Sequence, residues 1–234
     1  MISGCDGLEK QIAIKDEIIP YRLEKETRKS ISIIWDRKEN IFKYRVPHWI
    51  SKKEIELFLE KNKEKIYKKF KSYNKKYTKN SKINYLGRKL SLNITKSKKQ
   101  DYKLDGDILK VYIVQETDDN IKKALHKFYK NRAKVFIPSR LDFHSQKTGI
   151  KYSNIRLKNQ KTLWGSASSK KNININYRLM MAPVEVIDYV LLHELIHLKI
   201  MAHSKKFWEK LKNWVPEMEK HKTWLEQNKY KLII

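Results

Sequence analysis

Three histidines and one glutamate in the last quarter of the chain have the residue types and spacing of a metal site. His193 and His197 are four residues apart, so on one α-helix their side chains lie on the same face and can reach a common atom. Neutral imidazoles at this spacing suit a Zn²⁺ ion. Glu194 follows the first histidine and could serve as general base in a metal-assisted hydrolysis.

His203 could be a third ligand only if the helix ends before it. A continuous helix would separate His193 and His203 by about 15 Å along its axis, whereas zinc–nitrogen bonds are about 2.1 Å long. The apolar run stops at Met201, and Ser204 is predicted to be the N-cap of a following helix. Three histidine ligands would hold one zinc ion per chain and leave one coordination position open for water.

Two other interpretations of the motif stay open. The histidines could be core residues, with Glu194 on a solvated face, because the motif continues an apolar helical run. Alternatively, a bound metal could be purely structural. Closed structural sites usually have four protein ligands, often cysteines, and Cys5 is the only cysteine of this chain.

The composition limits the class of protein. With 234 residues, 40% of them hydrophobic, the chain is large enough for a sizeable core in one or two domains. It has no apolar run of the length that crosses a membrane, and residues 1–7 lack the features of a signal peptide. A single cysteine excludes an internal disulfide framework. We therefore expect a cytoplasmic protein without a membrane partner.

The net charge of +27 has two interpretations. It could mark a surface that binds nucleic acid or another polyanion. It could also reflect an AT-rich genome, because lysine, asparagine and isoleucine are abundant while arginine, the residue of specific phosphate and base contacts, is sparse. Residues 61–82 combine ten lysines with aromatic residues. The helical spacing of these aromatic residues favours a core stripe with the lysines on the solvated face.

The elements that must position the motif predict an α+β fold. Residues 1–19 are expected to form an arm or a first edge strand. A β-hairpin is predicted at 30–35 and 41–46, and a capping box at Ser51–Glu54 opens a helix to about Tyr77. Strands follow at 83–86, 89–94, 102–104 and 108–114. A helix is then predicted from Thr117 or Asp118 to about Phe136, with Pro138 in its last turn or at a kink after which the helix could resume to Ser145. No internal repeat is evident.

The final third of the chain returns to strands before the motif. They are predicted at 153–157, 162–168 and 172–179, and the last leads through Pro183, at the first helical position, into the motif helix. A sheet edge directly before the site could hold an extended peptide by backbone pairing. Helices are predicted at 204–213 and 217–228. We divide the chain into an arm (1–19), a β-rich subdomain with one long helix (20–116) and a catalytic subdomain (117–234), with one continuous domain over 20–234 as the alternative.

Several motifs together resemble the YgjP-like metallopeptidase family. They are Arg28–Ile33, Trp164-Gly165-Ser166, Asn176-Tyr177-Arg178-Leu179, Ala182-Pro183, Asp188-Tyr189-Val190, His193–His197, His203-Ser204 and Phe207-Trp208. The resemblance spans about residues 20–226. It implies a zincin-like fold related to the SprT and WLM groups, cytoplasmic relatives, a zinc ion held by His193, His197 and His203, and a catalytic Glu194. Some relatives are described as nucleotide pyrophosphatases. The chain departs from the family pattern at Leu163 and Ala167, where a basic residue and a cysteine are usual.

These observations predict a zinc-dependent metallopeptidase that acts on polypeptides, with Glu194 assisting attack by water. The residues expected to contact the substrate are Trp164, Gly165, Ser166, Asn176, Tyr177 and Arg178. Tyr177 and Arg178 are candidates to stabilise the oxyanion; the alternatives are an outward-facing strand residue and a structural ion pair.

Two other functions stay open. The first is a nucleoside triphosphate pyrophosphatase, because the basic surface would attract an anionic nucleotide; however, the sequence has no glycine-rich phosphate loop. A basic, nucleic-acid-associated zinc module without catalysis would have no need of Glu194. Asp188, five residues before His193, is expected to be a surface charge of the helix.

Overall fold

A computed structural model describes residues 9–36, 39–160 and 162–234. The chain forms two compact units, one ending at Asn74 and the other spanning Lys75–Ile234. The first unit contains the strands β1 (Glu9–Ile14), β2 (Glu17–Glu26), β3 (Ser32–Asp36) and β4 (Ile41–Pro47) and the helix α1 (Lys52–Tyr73). The second unit contains β5 (Lys82–Tyr85), β6 (Arg88–Lys96), β7 (Asp101–Asp105), β8 (Ile108–Ile113), α2 (Asp118–Thr148), β9 (Asn154–Lys158), β10 (Gly165–Ala167), β11 (Asn172–Asn176), α3 (Val184–His197), α4 (Lys205–Trp214) and α5 (Met218–Asn228).

The first unit packs one helix on a four-stranded sheet. The strand order is β1-β2-β4-β3, with the central pair parallel and both outer pairs antiparallel. The β3–β4 pairing confirms the predicted hairpin, and β1 and β2 account for the described part of the expected N-terminal arm. Trp35 joins the sheet to α1, because its ring lies 4.6 Å from that of Phe42 and stacks 5.5 Å from that of Tyr73. The aromatic residues near the end of α1 therefore belong to a core.

Helix α1 begins as expected and ends earlier than expected. Ser51 and Glu54 form both hydrogen bonds of the predicted capping box. The helix ends at Tyr73, whereas the spacing of apolar residues predicted a helix to about Tyr77. Tyr77 is buried in the core of the second unit instead. Its helical spacing from the aromatic residues of α1 therefore does not mean that it belongs to that helix.

The second unit opens with the same strand and helix arrangement as the first. Its sheet has the order β5-β6-β8-β7, again with a parallel central pair and antiparallel outer pairs, and is followed by α2. In both units a hydroxyl residue, Ser51 or Thr117, caps the helix. Isoleucines are buried at Ile55 and Ile121, each at the same offset from its cap. The chain thus contains a topological ββββα repeat that its sequence does not reveal.

Helix α2 passes through Pro138 without ending. Proline removes one backbone donor from the helix and crowds the preceding turn. The flanking Ile137 and Leu141 are fully buried in the core of the second unit, and this packing offsets the lost hydrogen bond. The helix ends at Thr148, with Gly149 in the left-handed conformation as its C-cap.

The strand that leads to the motif helix is β11, which lies in the middle of its sheet. The prediction that an edge strand directly precedes the helix is therefore wrong. The third sheet has the order β10-β11-β9, and within the described residues β10 has a partner on one side only.

The strand predicted to continue to Leu179 ends at Asn176 instead, because Tyr177–Met181 form a 3₁₀ helix. The Leu86 N–H donates to the Met180 carbonyl (2.8 Å), which fixes this turn against the β5–β6 hairpin. Pro183 is the N-cap of α3 rather than its first residue.

One continuous core holds the second unit together. It joins Leu90 and Leu109 of the second sheet to Leu125 of α2 and to Ile187 and Leu195 of α3. The strands β5–β8 therefore share the core of the motif helix, while the division into subdomains at residue 116 stays a prediction. Over residues 9–36, 39–160 and 162–234, no helix combines the length and hydrophobicity needed to cross a membrane.

Candidate active site

The helix break predicted between His197 and Ser204 is confirmed. Helix α3 ends at His197, and α4 begins at Lys205 with Ser204 as its N-cap residue. The chain leaves α3 in a tight turn, in which the Ile200 N–H donates to the Ile196 carbonyl at 2.9 Å. This turn returns the chain toward the helix and brings His203 beside the two motif histidines.

The three histidine side chains converge on one point. The Nε2 atoms of His193 and His197 are 3.1 Å apart, those of His197 and His203 3.0 Å, and those of His203 and His193 3.1 Å. Among the described residues they form a group of three potential ligands whose donor atoms all lie within 4.8 Å of one another. A site with three protein ligands leaves a position open for water or substrate.

The protonation of His193 and His197 suits a cation at that point. His197 Nδ1 lies 3.1 Å from the Ile200 carbonyl oxygen, so Nδ1 carries the proton and Nε2 presents its lone pair. Burial, with the neighbouring His197 and His203, lowers the pKa of His193 to about 3. Neutral imidazoles cannot satisfy three converging lone pairs among themselves, and zinc is an ion that such nitrogens prefer. The residues present therefore fit a zinc ion.

Two aromatic residues of α4 fix the histidine rings. The fully buried Phe207 ring stacks on His197 with 4.4 Å between centroids, and it contacts His193 edge-on at 4.9 Å. The Trp208 ring stacks on His203 at 5.3 Å. Each ring orientation is thus supported by packing from α4, which helps to direct the three nitrogens to the same point.

Glu194 is buried next to this cluster and is covered by the edge strand β10. Only 5% of its surface is exposed, and burial raises the pKa of its carboxyl to about 8. Gly165, the first residue of β10, lies directly over it, since a Cβ atom at Gly165 would be 2.5 Å from Glu194 Oε1. The glycine expected to contact the substrate is therefore the residue that lets β10 approach Glu194.

Asn176 and Arg178 hold the segment that precedes β10. The Asn176 side-chain amide donates to the carbonyl oxygens of Gln160 (2.8 Å) and Leu163 (3.0 Å), and the Arg178 guanidinium also donates to the Gln160 carbonyl. The guanidinium carbon lies 5.9 Å from the centre of the Trp164 ring. Both side chains are buried, so they fasten the segment around Trp164 to the end of β11.

Two other residues expected at the substrate have partners of their own. The buried Tyr177 places its hydroxyl 2.8 Å from Nδ1 of His126 on α2. Ser166 accepts a hydrogen bond from the Asn174 side chain at 3.0 Å across the β10–β11 pair. Oxyanion stabilisation by Tyr177 stays a prediction that these contacts do not favour, because its hydroxyl is engaged with α2.

The expectation that Asp188 is a surface charge is wrong. Its two carboxylate oxygens accept hydrogen bonds of 2.7 and 2.6 Å from Arg140 on α2, and His144 Nε2 lies 2.9 Å from Oδ1. Burial alone would raise the pKa of Asp188, but these hydrogen bonds and charges outweigh burial and hold the pKa below its ordinary value. The network ties α2 to α3 one turn before the motif.

A cavity adjoins Glu194 on the side of α3 that faces α5. Its volume is about 230 Å³. Its lining includes His193, Glu194 and Trp164, together with apolar residues that were not predicted to contact the substrate, such as Leu163, Val190 and Leu225. An apolar recess beside a candidate proton acceptor is a suitable place for part of a substrate.

One family model matches most of the chain. The model of the family described as "YgjP-like, metallopeptidase domain" matches residues 29–228. No curated protein matches the chain. Two crystal structures of metallopeptidase zymogens are similar over part of it. Jannalysin of Methanocaldococcus jannaschii is 28% identical, with a TM-score of 0.36, and the match covers 39% of this chain and 94% of that one. Abylysin of Pyrococcus abyssi is 22% identical, with the same TM-score and coverage.

Proposed function

The chain belongs to the YgjP-like metallopeptidase family, and from that premise we propose that it is a zinc-dependent peptidase with Glu194 as its general base. The observation that carries the proposal is the convergence of the three Nε2 atoms within 3.1 Å of one another, with a buried carboxylate on the adjacent residue. His193, His197 and His203 would hold the ion. Zinc bound there would act as a Lewis acid toward water and toward a peptide carbonyl.

The chain's own contribution is proton transfer by Glu194. A cation on the three histidines would favour the ionised form of this carboxyl and so oppose the effect of burial on its pKa. Its Oε atoms would then take a proton from the attacking water and return it to the leaving amine nitrogen. Its burial beneath β10 keeps bulk water from competing for this proton. Phe207 and Trp208 keep the histidine rings in place, so the geometry exists before a substrate arrives.

The edge of β10 would align a polypeptide with Glu194. Within the described residues β10 pairs with β11 on one side only, so its other edge can accept an extended peptide as an added strand. Because Gly165 lies directly over Glu194, a peptide paired along β10 would pass this carboxylate. Asn176 and Arg178 support that strand indirectly, through the segment they fasten.

The test compares Glu194→Gln with wild-type protein and with Glu185→Gln, the same substitution at an exposed position of α3. We expect Glu194→Gln to retain one zinc per chain and to lose cleavage of casein or a peptide library by about 10²–10⁴-fold. Glu185→Gln should behave as wild type. Full cleavage by Glu194→Gln would refute the role of Glu194.

The same preparations test the alternative functions. Hydrolysis of nucleoside triphosphates, with no peptide cleavage, would replace the peptidase by a pyrophosphatase. The nucleic-acid-binding alternative rests on the net charge, and the family match does not support it. If it held, binding of DNA or RNA would weaken steeply with added salt and would be unaffected by Glu194→Gln.

A further inference from the structure

We propose that the cavity beside Glu194 selects an apolar side chain, of leucine to phenylalanine size, next to the peptide bond that is cut. We call this cavity the α5 pocket. Its apolar lining residues are Leu163, Trp164, Tyr189, Val190 and Leu225, and its polar lining residues include Glu194, Lys222 and Glu226. The inference rests on the proposed peptidase function, because it names the class of substrate that the same site takes.

The floor of the α5 pocket is apolar and belongs to two helices. Tyr189 and Val190 come from α3 and Leu225 from α5, and each is more than 90% buried. Val190 precedes Glu194 by one helical turn, so its side chain lies on the same face of α3 as the proposed general base. A substrate side chain that enters the pocket would therefore belong to a residue near the reacting bond.

The charged lining residues Lys222 and Glu226 already have charged partners close by in the sequence. Lys222 Nζ lies 3.6 Å from Glu219 and 5.3 Å from the centre of the Trp208 ring. Glu226 accepts a hydrogen bond of 2.7 Å from Lys229. A charged substrate side chain would lose its hydration in the pocket and would have to displace one of these partners. An apolar side chain bears neither cost.

The volume is large enough for a sizeable apolar side chain. An apolar protein cavity of about 150 Å³ can hold benzene, and the α5 pocket measures about 230 Å³. A leucine, methionine or phenylalanine side chain therefore fits. Differences of one or two methylene groups in such pockets change the rate by about 10–200-fold, so we expect a clear preference rather than broad specificity.

Leu163 offers a way to change the preference without disturbing the core. It lies at the rim and is 49% exposed, so Leu163→Glu adds a negative charge where solvent can reach it. We expect the variant to shift the preference from apolar toward lysine or arginine side chains, by roughly tenfold in the ratio of kcat/KM values. Val135→Glu is the matched control, because Val135 is 76% exposed on α2 and outside the pocket lining.

The experiment digests a peptide library with zinc-loaded wild-type, Leu163→Glu and Val135→Glu proteins and identifies the cut sites by mass spectrometry. In parallel, calorimetry measures binding to Glu194→Gln of two peptides that differ only by leucine or aspartate at the selected position. We expect apolar residues at one position next to the cut bond for wild type and Val135→Glu, a basic preference for Leu163→Glu, and tighter binding of the leucine peptide.

The outcomes separate the two proposals. Cleavage without preference at either neighbouring position, or an unchanged preference in Leu163→Glu, overturns the α5 pocket and leaves the peptidase function intact. Tighter binding of the leucine peptide, without cleavage by wild type, refutes the peptidase and retains the pocket. Neither cleavage nor selective binding refutes both.

Discussion

Gly165→Ala should damage the candidate active site while leaving its metal-binding residues untouched. The added Cβ would lie 2.5 Å from Oε1, 2.7 Å from Cγ and 2.8 Å from Cδ of Glu194. These are its three nearest neighbours, so the methyl group meets the carboxylate side chain before any histidine. The clash can be relieved by moving the Glu194 side chain, for example into the cavity that it lines, or by moving β10. Either movement changes the position of the carboxyl relative to the strand.

The size of the effect follows from these distances. Ordinary van der Waals contact begins at about 3.4 Å, so Oε1 or the strand must move by about 0.9 Å. A displacement of about 1 Å in a catalytic group can lower the rate by about 10²-fold. Overpacking of this kind costs about 1–3 kcal/mol, and each kcal/mol lowers Tm by about 2–4 °C in a domain of this size.

The assay measures kcat/KM on a cleaved peptide, zinc content and Tm for Gly165→Ala. The control is Gly106→Ala, which adds the same methyl group where nothing lies within 4 Å but where φ is +55°. It should lose about 1–2 kcal/mol of stability and retain activity and zinc. We expect Gly165→Ala to lose about 10²-fold in kcat/KM with full zinc content. Wild-type activity in Gly165→Ala would refute the close packing of β10 on Glu194.

Two further substitutions test contacts that support the site. Because the folded-state pKa of Asp188 is lowered, its ionised form stabilises the fold above its unfolded pKa of about 3.9 and loses that contribution as the pH falls through the folded value. Urea titrations should show wild type more stable than Asp188→Asn by about 1.5–3 kcal/mol at neutral pH, with a difference that shrinks below about pH 4; a constant difference would contradict the assignment. Arg178→Met removes the hydrogen bond to the Gln160 carbonyl and should lower kcat/KM by roughly tenfold with zinc content unchanged. Loss of zinc in this variant would instead mean that Arg178 acts on the metal-binding histidines.

The local part of the candidate site could be predicted from sequence. The spacing of His193 and His197 places them on one helical face. A continuous helix would put His203 too far from His193 to share an ion, so a shared ion required the helix to end before His203. Both statements concern neighbours along the chain. For the same reason the capping box at Ser51 and the β3–β4 hairpin were predictable.

The supporting contacts could not be predicted, because they join positions distant in sequence through groups with no special signal. Arg140 and Asp188 are 48 residues apart, and either could equally have been a solvated charge. Arg178 binds a backbone carbonyl, which every residue has. The direction of the Arg178 side chain depends on the 3₁₀ helix Tyr177–Met181, which replaces the end of the predicted strand. A hydrogen bond from the β5–β6 hairpin holds that helix in place.

The ββββα repeat could not be predicted from the sequence for a related reason. Ile55 and Ile121 keep the same place relative to the helix cap, but a single apolar residue after a cap is a weak signal. That pattern is common to many sheets covered by a helix. Strand order is a property of tertiary pairing, and an alternation of apolar residues does not encode it.

Elemental analysis of purified wild-type protein beside His203→Ala tests the central claim most directly. Three converging nitrogens predict about one zinc per chain in wild type. The variant should lose the ion or bind it much more weakly, because only the two helix histidines remain. Little zinc in both proteins, even after zinc is supplied, would contradict the account: the histidines would then be core residues, and the hydrolase proposal would fall with them.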